Sequence, residues 1–90
     1  MIVASMDIDA LRLALLAACA DEHALLHRIH GELEHWLNRS LATEDVEAAL
    51  AELEAQGLVA ADRATTVVAY LTTDAGRVLV AQRWEEFFPE

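Results

Sequence analysis

A chain of 90 residues with one cysteine, 16 acidic side chains and six basic ones carries a formal charge of −10 at neutral pH. That length supports one hydrophobic core and not two, and the lone Cys19 excludes an intrachain disulfide. The charge repels polyphosphate at long range, so any nucleic-acid reading has to find a local basic patch.

No membrane-spanning or secretory segment stands out. The longest apolar run, Leu13 to Ala20, falls short of the ~20 residues a bilayer crossing needs. The opening residues lack a basic segment, and Asp7 and Asp9 follow at once. With its single cysteine the chain reads as cytoplasmic. Its hydrophobic fraction of 56% exceeds the ~45–50% usual for soluble domains, which suggests a face buried by a partner.

In chain order, Asp7 or Asp9 caps a first helix over about residues 8–20, apolar all round and therefore buried. Asp21 then caps a second helix, about 22–37, with Leu25, Leu26, Ile29, Leu33, Trp36 and Leu37 on one face. A continuous helix through Asp21 is the alternative. Thr43 caps a third helix, about 44–56, whose first turn holds Glu44, Asp45 and Glu47. Its inner face is Val46, Ala49, Leu50 and Leu53, and Gly57 ends it as a left-handed glycine. Residues 58–71 read as a hairpin, with a polar tip at Asp62–Ala64 and a β-branched return strand. Thr72 or Thr73 starts a last helix to about Phe88. The fold class is mainly α with a small β-hairpin, in the order helix, helix, helix, hairpin, helix, as one domain over residues 1–90.

Two segments narrow this pattern. Leu50-x-x-Leu53-Glu54-Ala55-Gln56-Gly57-Leu58-Val59 comes first, and Tyr70-Leu71-Thr72-Thr73-Asp74-Ala75-Gly76-Arg77 follows the hairpin. Together they resemble winged helix-turn-helix regulators of the PadR and MarR type, over about residues 41–83. The resemblance implies that the hairpin is a wing, that the third helix faces DNA, and that terminal helices form a homodimer. Gly76 would let the last helix pack closely on its neighbours.

The third helix departs from what groove reading needs. Glu44, Ala48, Ala51 and Ala55 lie opposite its apolar face, with Asp45 and Glu52 on one flank and Glu47 and Glu54 on the other. No lysine or arginine occurs between Thr43 and Gly57. Phosphate and guanine edges call for cations and donors, and this helix has neither in charged form. The expectation is therefore a regulatory module that works mainly through protein contacts. Its docking strip is Glu44, Ala48, Ala51, Glu52 and Ala55, and its partner is basic. DNA binding stands as the alternative, carried by Arg39 before the third helix, Arg63 at the wing tip and Arg77 in the last helix.

Other features have less specific readings. His23, His27, His30 and Glu34 fall at spacings of four, three and four, which on one helix would align them as metal ligands or a pH-sensitive stripe. Against a metal, one straight helix rarely converges three ligands on an ion, so no cofactor is assigned. No phosphate loop, serine elbow or cysteine–histidine nucleophile is present, so the chain does not read as an enzyme. On the last helix Val80, Trp84, Phe87 and Phe88 form one stripe, and a second copy of the chain is expected to cover it.

Overall fold

The computed structural model describes residues 8–89, so Asp7 lies outside the described residues. The elements run α1 (Ala10–Ala18), β1 (Ala24–Leu25), α2 (Leu26–Leu37), α3 (Thr43–Ala55), β2 (Val59–Asp62), β3 (Ala69–Thr72) and α4 (Asp74–Phe87). Asp9 caps α1, its carboxylate accepting the Arg12 N–H at 2.9 Å. The helix lies against both α2 and α4, and Leu13, Leu15 and Leu16 are fully buried there with Ile29, Leu33, Leu50, Leu53 and Leu79. Leu79 is the α4 side chain at the centre of this core, while the aromatic stripe of α4 is only partly buried.

Three expectations need correction. The second helix starts at Leu26, not Glu22, and Asp21 caps nothing. Instead Ala24 and Leu25 pair antiparallel with Tyr70 and Ala69, so the wing is part of a three-stranded sheet in the order β1-β3-β2. Strand pairing satisfies this backbone and buries Ala24 at 2% exposure, and the sheet takes the place of the helical turn. Thr43 is the first residue of α3, and its cap position is Ala42, which makes no side-chain cap bond. The hairpin strands are also shorter than expected, joined by residues 63–68, with Val59 opposite Thr72 and Asp62 opposite Ala69.

The exit from α3 and the entry to α4 form one unit. Gly57 has φ +77°, and the Leu58 N–H reaches the Leu53 carbonyl at 2.9 Å while the Gly57 N–H reaches Glu54 at 3.0 Å. That is the paired closure of a Schellman turn. Thr73 caps α4, its hydroxyl accepting from the Gly76 N–H at 3.3 Å and donating to the Gly57 carbonyl at 2.7 Å. Gly76 sits against the Leu58 carbonyl oxygen so closely that a Cβ would collide with it and would lie 2.5 Å from the Thr72 methyl. Thr72 itself is buried, donating its hydroxyl to Leu16 at 2.6 Å and its N–H to Cys19 at 3.0 Å. These bonds tie the wing to the last turn of α1.

Candidate nucleic-acid interface

α2, the turn after it and α3 make a helix-turn-helix, and the turn is set by α2. Asn38 takes the left-handed conformation, φ 54°, and ends the helix. Beyond it, His30 Nε2 lies 2.6 Å from the Leu41 carbonyl oxygen, and a Glu34 carboxylate oxygen accepts the Leu41 N–H at 2.8 Å. His30 and Glu34 are themselves 3.4 Å apart. Both backbone groups of Leu41 are thus held by side chains one turn apart on α2, while its own side chain enters the core. In this way His30 and Glu34 clasp the turn between α2 and α3.

The histidine stripe does not form. His23 precedes β1 and is not on α2, and His30 and Glu34 are occupied at Leu41. Cys19 stands where the chain leaves α1, and its thiol is buried. Burial first, then the Glu32 charge, pushes that thiol's pKa up to about 12. Among the described residues no three histidine, cysteine or carboxylate side chains come together as a metal site.

α3 turns Val46, Ala49, Leu50 and Leu53 inward and leaves Glu44, Asp45, Glu47, Ala48, Ala51, Glu52 and Ala55 exposed. The outward strip is the alanine track between acidic rows that the spacing anticipates. Glu52 is engaged by Arg12 of α1 at 2.8 Å. On the opposite flank Glu54 takes both terminal nitrogens of Arg63, at 2.7 and 2.8 Å. Hydrogen bonding to Arg63 is the main reason the Glu54 carboxyl is held below its ordinary range.

The arginines are mostly spent inside the molecule. Arg77, though exposed, donates to the Ala20 carbonyl at 3.0 Å and to Asp74 at 2.7 Å and so fastens the segment after α1. Arg28 lies near Glu22 and Glu32, and Arg83 pairs with Glu86. Arg39, exposed in the turn before α3, makes no ion pair among the described residues.

The aromatic tail is half-buried. Trp84 stacks on Phe88 with ring centres 4.3 Å apart, and Trp36 of α2 meets it edge-on at 5.9 Å. Val80, Trp84, Phe87 and Phe88 line the edge of the core, while Trp36 stays 39% exposed. The sequence pattern places Trp36 on the inner face of α2, and the structure moves it to the rim of this cluster.

A buried helix, a helix-turn-helix and a wing that closes on the last helix define a winged helix-turn-helix fold, which solved structures of a PadR family and a MarR family regulator share. RosR of H. salinarum has this fold at TM-score 0.80 and 22% identity, matched over 91% of this chain and 76% of that one. A PadR family transcription regulator from Clostridium difficile aligns at TM-score 0.70 and 14% identity, over 87% of this chain and 86% of that one. ZitR, a zinc-responsive MarR family member of Lactococcus lactis, aligns at 0.73 and 21%, over 90% of this chain and 54% of that one. No protein-family model and no curated protein matches the sequence.

Proposed function

We propose that this chain is a non-enzymatic, DNA-binding transcription regulator that acts as a homodimer. The observation that carries the reading is the likeness to a PadR family transcription regulator over nearly the whole length of both chains. The charge of α3 had put protein contacts first and DNA second, and the fold likeness reverses that order. In a helix-turn-helix dimer α3 enters the major groove and the wing lies beside it. Arg39 before α3 and Arg63, first in the wing loop, are the cations nearest the reading helix, whereas Arg77 is engaged by Ala20 and Asp74.

The electrostatics give this binding an unusual salt dependence. With Arg39 and Arg63 of each chain on phosphate, a dimer neutralises roughly four phosphates, so log K falls with log salt at a slope of only about −3 to −4. Exposed carboxylates on α3 oppose the duplex, and screening them makes the slope shallower still. The test is fluorescence anisotropy with the duplex upstream of the coding sequence and a scrambled duplex, from roughly 0.1 to 1 M KCl. Preferential binding with a shallow slope is expected. Equal binding of both duplexes at every salt concentration sinks the reading.

The dimer uses Val80, Trp84, Phe87 and Phe88, each still partly accessible on one chain. Trp84→Ser with Phe88→Ser is expected to give a folded monomer, because Leu13, Leu15, Leu33, Leu50 and Leu79 remain as core. Light scattering with circular dichroism decides it, and a wild type that runs as a monomer ends the proposal.

A second reading is docking of a basic protein on Glu44, Ala48, Ala51, Glu52 and Ala55. Its support is that this strip is exposed and holds no cation. Ala51→Arg separates the two readings, since it strengthens duplex binding and weakens capture of a basic partner.

A further inference from the structure

Of the cations suited to phosphate, Arg63 has the best position and the least freedom. It is the first residue past β2 and reaches back over the Gly57 turn to Glu54, nine residues earlier on α3. Both carboxylate oxygens of Glu54 are taken, each by a different guanidinium nitrogen. We propose that the Glu54–Arg63 pair is an autoinhibitory latch, in which the carboxylate of the reading helix occupies the wing arginine that a DNA phosphate would otherwise take. The proposal rests on the duplex-binding reading above.

The pair is not a strut of the fold. The two side chains are 57% and 32% exposed, and solvent-exposed pairs of this kind contribute little to stability. The wing is placed without it, by the β2–β3 ladder and by the bonds of Thr72 and Thr73. Other arginine contacts are of a different kind. Arg12 joins α1 to α3, and Arg77 binds a backbone carbonyl, so both hold elements together. Arg63 binds only one carboxylate on the face that would meet DNA.

The two free oxygens of a backbone phosphate accept a guanidinium in the same bidentate way as a carboxylate, so the two compete for one arginine. Moving Arg63 to a phosphate strips Glu54 of its partner and leaves a bare carboxylate beside the duplex. The wild type therefore gives up a contact and gains a repulsion each time it binds. Replacing Glu54 by glutamine removes both costs.

The experiment compares duplex affinities by anisotropy at one salt concentration, with folding checked by circular dichroism. Glu54→Gln is expected to bind about fivefold tighter than wild type, the scale of one exposed charge pair. Glu47→Gln removes the same charge from the same flank, where no arginine is paired, and is expected to change affinity less than about twofold. In an Arg63→Ala background the gain from Glu54→Gln should fall to that of Glu47→Gln. The latch is refuted, with the duplex reading intact, if wild type binds and Glu54→Gln gains no more than Glu47→Gln. It is refuted equally if the extra gain persists without Arg63. If no variant prefers its duplex over the scrambled one, the latch and the duplex reading fail together.

Discussion

The two ends of α3 are built on different principles. Its C-terminal end is closed by backbone geometry, through the left-handed Gly57, the paired bonds to Leu53 and Glu54, and the Thr73 hydroxyl on Gly57. Its N-terminal end has no cap of its own and is held at Leu41 by two side chains of the preceding helix. One end needs particular residues at particular backbone angles, where most side chains are strained. The other needs two polar groups at one spacing, and either can be lost with the second still in place. The wing should therefore be the less forgiving side of the reading helix.

The sharpest challenge to that contrast is Gly76→Ala. Its Cβ meets a backbone carbonyl, Leu58, which cannot rotate away. The expected loss is roughly 3 kcal/mol, at the upper end for overpacking. Thermal melts should show a fall of more than about 10 °C for a domain this small. A drop of only a few degrees would mean that the α3–wing–α4 junction is looser than its bonds imply.

Gly57→Ala comes next, because its cost is conformational and not steric. Nothing lies near the position of the missing Cβ, but φ is +77°. About 1 kcal/mol is expected, the scale of holding an L-residue in the left-handed region. Urea unfolding measures it, and an unchanged midpoint would show that the turn can be remade without glycine.

On the other end, His30→Ala should cost about 1 kcal/mol or less, the net worth of one partly exposed hydrogen bond. Glu34→Gln should cost less again, since an amide oxygen can still accept the Leu41 N–H. Because both side chains serve the same residue, the double alanine variant should depart from additivity by about 0.5 kcal/mol or more. Strict additivity would separate the two contacts and undo the idea of a shared clasp. A His30→Ala loss larger than that of Gly57→Ala would reverse the comparison itself.

The smallest effect concerns Cys19, which lies outside both ends. Its thiol pKa is raised to about 12 by burial, above that of the unfolded chain. Stability from the neutral buried thiol is thus complete below the ordinary thiol range and declines as pH rises from about 9. Reaction with a thiol reagent at pH 8 should follow global unfolding, and fast labelling of the folded protein would contradict the burial.

Much of α3, the wing and the start of α4 could be read from local chemistry. Gly57 at a helix end, Thr73 before Asp74 and the inward spacing of Val46, Ala49, Leu50 and Leu53 each work within a few residues of chain. The acidic, alanine-lined outer face of α3 followed from the same periodicity. What failed was nonlocal. Asp21 looked like a cap because nothing nearby says that Ala24 and Leu25 will find β3, some 45 residues on. The clasp of His30 and Glu34 on Leu41 was also hidden, because their spacing is visible while their partner, the backbone of Leu41, carries no side-chain signature. The pairing of Arg63 with Glu54 and of Arg77 with Ala20 was equally hidden, although it decides which cations are free. Caps, turns and apolar stripes are set by neighbours along the chain, so sequence determined them. Strand partners and the fate of each charge depend on which surfaces meet, and only the tertiary structure decided those.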